Sequence, residues 1–167
     1  LAKLDRFLDV ALAGQGRVVF VTGEAGSGKT VLVDAFTRRA MEAHGDLIVA
    51  RGSCNAQSGI GDPYLPFREI LRTLTGDVER QRAGGAITGE HARRLWTLLP
   101  DAVRALVEDG PDLVGRFVPG AALALRAEVL APGGAVWRTR LEELVKRKSP
   151  EEGDQVALHQ TDLFEQV

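Results

Sequence analysis

Eight consecutive residues constrain this chain more than the rest together. Positions 23–30 read Gly-Glu-Ala-Gly-Ser-Gly-Lys-Thr, an ungapped match to the G-x-x-x-x-G-K-[ST] pattern. At average residue usage such a match arises by chance once in roughly 30,000 positions. The chemistry of each position is definite. Gly23, Gly26 and Gly28 let the backbone turn tightly and approach an anion without Cβ clashes. Successive amides of such a turn point inward as an anion-binding nest. A helix starting near Lys29 would add its free N-terminal amides and the positive end of its dipole. Lys29 would reach the β- and γ-phosphates, and Thr30 would offer its hydroxyl to Mg²⁺. The candidate nucleotide-binding set is Gly23, Glu24, Ala25, Gly26, Ser27, Gly28, Lys29, Thr30 and Val31, with Thr30 as the metal-binding residue. Glu24 is read as facing solvent. Lys29 stabilises phosphate and is not a catalytic acid or base.

The flanking pattern predicts an α/β fold. A helix is expected over 1–13, with Leu1, Leu4, Leu8, Ala11 and Leu12 on one face. The β-branched run 17–22 between glycines predicts a short buried strand. A helix over 29–43 and a second strand over 47–51 complete a βαβ grammar. Asp62-Pro63 then predicts a helix start with Asp as N-cap. From about 76 to 150 no further strand is found. Helices are expected over 90–99, 101–108, 120–130 and 136–147, broken at Pro100, Gly110-Pro111, Pro119-Gly120 and Pro132-Gly133-Gly134, with a last helix from about 154. The expected organisation is a partial P-loop core over 1–75, a helical insertion over 76–150 and a closing helix over 151–167.

Composition narrows the partners. The net charge of −2 and pI near 6.0 leave no global basic field for nucleic acid or an anionic membrane. Arg93-Arg94 and residues 146–148 alternate with apolar residues and read as solvated helix faces. No apolar run approaches the ~20 residues of a transmembrane helix. One cysteine, Cys54, allows no internal disulfide and fits a cytoplasmic setting. His44, His91 and His159 have no metal-ligand spacing. Arg51 could reach a phosphate or a neighbouring element. The chain opens within a helical pattern at Leu1 and ends at Val167 without a stop signal, so both ends are expected to be cuts in a longer protein.

Binding is not hydrolysis. Hydrolysis needs an acid after a hydrophobic strand, to hold the Mg²⁺ water shell, and a group to orient the attacking water. Leu106-Val107-Glu108-Asp109 is the nearest match, but it lies in a helical pattern before Gly110-Pro111 and is rejected.

With the glycine loop, Arg51-Gly52-Ser53-Cys54 and Pro63-Tyr64-Leu65-Pro66-Phe67 in view, the chain resembles the ATPase domain of bacterial STAND-type regulators within the AAA+ group. Such modules occur in large transcription activators and beside some nucleotide cyclases. The resemblance implies an incomplete parallel-sheet core with exposed strand edges and low stability, and ATP/ADP with Mg²⁺ as cofactors. It implies a nucleotide-dependent switch in signal transduction, with self-association controlled by nucleotide. It also implies that residues 160–167 lead into a strand bearing the Mg²⁺-binding acid, so that the partner of this segment is the remainder of its own ATPase domain. Two alternatives stand beside it: a P-loop kinase using the helical region as a lid, for which Arg80 and Arg82 are the only hint, and a helical interaction module with a vestigial P-loop.

Overall fold

The computed structural model describes residues 1–54, 63–130 and 136–148. The chain divides into two compact units, Leu1–Val49 and Ala50–Val167.

The first unit is a pair of helices, α1 (Ala2–Leu12) and α2 (Lys29–Ala43). An ion pair between Asp5 and Arg39 joins them, and Ala40 is the buried residue of α2. The parallel sheet expected here is absent: no strand occurs among the described residues. Residues 17–22 and 47–51 carry the composition of strands without forming a ladder. The reason is physical. A strand is stabilised by a neighbour that takes its N–H and C=O groups and covers its side chains, so β-type composition alone does not make one. Neither segment has that neighbour among the described residues, and Val18 and Phe20 stand 83% and 85% exposed. The one bridge among the described residues joins Val114 and Val118 in a tight turn.

The second unit is helical: α3 (Leu65–Leu74), α4 (Glu79–Ala83), α5 (Gly89–Asp109), a 3-10 turn (Pro111–Leu113), α6 (Gly120–Leu130) and α7 (Val136–Lys148). Its axis is α5, against which α3, α6 and α7 pack. The core joins Leu99, Val103, Leu106 and Val107 of α5 to Leu113, Val114 and Phe117, to Leu123 of α6 and to Leu141 of α7. Tyr64 meets Phe117 edge-on at 5.6 Å, and Trp137 packs against the same cluster.

Two helix boundaries differ from those expected. Pro100 does not divide α5, which runs unbroken from Gly89 to Asp109. An interior proline costs about 3 kcal/mol by removing an N–H and crowding the preceding turn. Fully burying one leucine returns roughly 1.5–3 kcal/mol, and Leu95, Leu99, Val103 and Leu106 form a buried stripe on both sides of Pro100. Packing therefore outweighs the local break. The helix expected from Asp62-Pro63 begins at Leu65 instead, with Pro66 in its first turn, and Asp62 lies outside the described residues. The helix expected from 154 also lies outside them.

Local caps hold these elements. Gly76 ends α3 with φ +75°, and a Cβ there would come within 3.2 Å of the Trp96 ring. The Arg82 guanidinium sits 5.8 Å from the centre of that ring. Arg126 of α6 donates from Nε to the Thr75 carbonyl at 3.1 Å, tying α6 to the end of α3. At the start of α5 the Thr88 hydroxyl accepts from the His91 amide at 3.1 Å. Thr88→Ala is expected to cost about 1 kcal/mol, read as a lower urea midpoint at unchanged slope; an unchanged midpoint would refute the cap. Next to it, the hydrogen bond from Arg94 holds the Glu90 carboxyl below its ordinary 4.5, and the charges of Arg94 and Arg93 act the same way. Whatever this exposed pair contributes is present above that pH and is lost as pH falls through the lowered value.

Candidate functional site

The glycine loop lies between the end of residues 17–22 and the first turn of α2. Gly26 and Gly28 adopt φ +79° and +82°, the left-handed region in which a β-carbon is strained. Gly28 is the N-cap of α2 in this conformation, so the chain turns sharply into the helix. The Ser27 amide donates to the Glu24 carbonyl at 3.2 Å and closes the turn around Ala25 and Gly26. A Cβ on Gly23 would lie 2.7 Å from Ser27 Oγ, so the two ends of the loop approach each other closely.

Lys29 folds back across this turn. Its ammonium donates to the carbonyls of Gly23 at 2.9 Å and Glu24 at 2.6 Å. The first intrahelical bond runs from the Leu32 amide to the Gly28 carbonyl at 2.9 Å. The amides of Lys29, Thr30 and Val31 therefore precede any helical acceptor, as the first turn of every helix requires. Thr30 is exposed, and the Val31 side chain points to solvent at 71% exposure, so Val31 can contribute only through its backbone. All nine candidate residues are thus contiguous at one place. The loop is crowded against a side chain at Gly23, closed by the bond from the Ser27 amide and spanned by the Lys29 ammonium. Mg²⁺ would take the Thr30 hydroxyl along with phosphate oxygens and water. No cluster of three or more His, Cys, Asp or Glu side chains able to hold a metal occurs among the described residues.

The other sequence candidates belong to the second unit. Leu106-Val107-Glu108-Asp109 forms the last turn of α5, with Leu106 and Val107 buried, and is not on a strand. Cys54 is exposed with a free thiol. No helix among the described residues is long and apolar enough to cross a membrane.

The model of the AAA ATPase domain family matches residues 1–167. The chain belongs to that family. No curated protein and no solved structure matches it. Membership in the AAA ATPase domain family accords with a nucleotide-binding role for the loop.

One feature of this AAA ATPase domain chain was not readable from spacing. The segment Arg51-Gly52-Ser53-Cys54 and the start of α3 are in contact. A Cβ on Gly52 would fall 2.1 Å from the Pro66 carbonyl oxygen, and the Ser53 amide donates to Glu69 Oε2 at 2.8 Å. The two short motifs that carry the family resemblance beyond the glycine loop therefore form one structural joint. The only sequence signal for it was their co-occurrence.

Proposed function

We propose that this chain binds Mg-ATP and Mg-ADP through residues 23–31 and serves as the nucleotide-sensing part of a cytoplasmic regulatory ATPase of the STAND type. The observation that carries the reading is the Lys29 ammonium held across a loop whose glycines adopt left-handed backbone, directly at the N-terminus of a 15-residue helix. On binding, the amides of Gly26 and of residues 28–31 would donate to phosphate oxygens. Lys29 would exchange two carbonyl contacts for the β- and γ-phosphates, and Thr30 would complete the Mg²⁺ shell. Bound nucleotide supplies the polyphosphate charge; the chain supplies fixed donors, so little is spent on ordering them. Binding is the whole of the proposed activity for these residues. Hydrolysis requires an acid that holds the Mg²⁺ water shell and a water-orienting group; Glu24, the acid of the loop, is exposed and is assigned neither part. The switch role, with self-association set by nucleotide, rests on the resemblance to signalling ATPases.

Calorimetric titration of Mg-ATP and Mg-ADP into wild type and Lys29→Ala tests the reading. Wild type should bind, and the variant should be at least about tenfold weaker, a loss of about 1.4 kcal/mol. Equal affinity in the two proteins, with α2 intact by circular dichroism, would overturn it.

A further inference from the structure

One amide of the glycine loop is already spent. The Ser27 N–H donates to the Glu24 carbonyl at 3.2 Å, inside the loop's own turn. Position 27 therefore has its side chain, and not its backbone, left to offer a ligand. Ser27 is exposed, and its hydroxyl makes no hydrogen bond among the described residues. That hydroxyl nonetheless has a defined seat. A β-carbon on Gly23 would lie 2.7 Å from Ser27 Oγ, so the oxygen fills space that any other residue at 23 would need. The same β-carbon would lie 3.9 Å from Lys29 Cδ. Ser27 Oγ and the Lys29 stem thus flank one side of Gly23, and the ammonium at the end of that stem reaches the Gly23 and Glu24 carbonyls. A neutral donor and a cation stand together over a single glycine.

We propose that Ser27 binds phosphate through its hydroxyl, and that Gly23 is required because its missing β-carbon leaves room for that oxygen. This rests on nucleotide binding at residues 23–31 and adds the donor that position 27 supplies there. The ligand class is a polyphosphate. Ser27 Oγ–H donates to a phosphate oxygen next to the phosphates that Lys29 neutralises, so one side chain supplies direction and the other charge. A serine that served only to close the turn would act through its amide, and alanine would replace it without loss.

Calorimetric titration of Mg-ADP and of inorganic pyrophosphate with Mg²⁺ into wild type, Ser27→Ala, Gly23→Ala and the double variant is the test. Ser27→Ala keeps the amide that closes the turn. It should bind both ligands about tenfold or more weaker, as expected for a lost hydrogen bond to a charged group, at an unchanged unfolding midpoint. Gly23→Ala should also weaken binding, by displacing the oxygen. In the Ser27→Ala background the added methyl meets nothing nearer than the residue 27 β-carbon at 3.6 Å, an ordinary contact. The double variant should therefore lose clearly less than the product of the two single losses. Wild-type affinity in Ser27→Ala overturns the inference and leaves nucleotide binding standing. So does a loss seen with Mg-ADP but not with pyrophosphate, which would move the contact off the phosphates, and so do losses that multiply in full. Absence of binding in wild type, or equal binding by Lys29→Ala, overturns the nucleotide-binding reading and this inference with it.

Discussion

Replacing Leu99 by alanine is expected to remove about 3 kcal/mol from the stability of the helical unit, with 2–5 kcal/mol as the range for a buried leucine truncated in a packed core. Leu99 is fully buried at the middle of α5 and belongs to the cluster that joins α5 to α6 and α7. Its side chain also reaches toward Gly76, where Leu99 Cδ1 lies 3.7 Å from the position a Cβ would take. The void left by truncation is bounded by residues of several elements, so no single side chain can swing in to fill it. The neighbour at Pro100 sharpens the effect. The proline is tolerated because packing on both sides exceeds its cost, and truncation at Leu99 withdraws part of that surplus. Chemical unfolding should show a lower midpoint at unchanged slope. A loss below about 1 kcal/mol would mean that this core closes over the vacancy, contrary to a tightly packed α5.

The second large effect is expected at Gly52. Its backbone is not left-handed, so the glycine is required by contact alone. A methyl group at 2.1 Å from the Pro66 carbonyl oxygen meets backbone on the first turn of a helix and cannot be relieved by a rotamer change. Gly52→Ala must push the 51–54 segment off α3, and the Ser53–Glu69 hydrogen bond is the first interaction lost. Overpacking of this kind costs roughly 1–3 kcal/mol, and the lost bond adds about 1 kcal/mol or less for an exposed pair. The Ser53 amide should then exchange with solvent at a rate close to that of Glu69→Ala, whereas Glu69→Ala should cost much less stability. Equal stability of Gly52→Ala and wild type would show that the joint yields freely.

The parts of this molecule that sequence reasoning reached are those whose causes are local. The glycine loop needs only glycine geometry and a following helix, and both lie within residues 23–43. The boundaries of α2 and α6 match the expected 29–43 and 120–130, because each is bracketed by Gly, Pro or polar residues. The strands failed for the opposite reason. Residues 17–22 and 47–51 have the side chains of strands, but a ladder is a property of two segments, and no second segment pairs with either among the described residues. Pro100 failed because a local penalty was weighed without the burial that exceeds it. The contact of Gly52 with Pro66 was beyond reach, since a glycine required by a neighbour across fourteen residues looks the same as one required by its own φ.

Both tryptophans of the chain, Trp96 and Trp137, lie in the helical unit, one under the Arg82 guanidinium and one against the core. The unit of residues 1–49, which carries the glycine loop, has none. Intrinsic emission is therefore a one-sided signal in this protein. It reports on α5 and its neighbours, and the unit that carries the loop adds no tryptophan of its own to it. The heat of binding, or the amide resonances of the loop glycines, would report on the first unit directly.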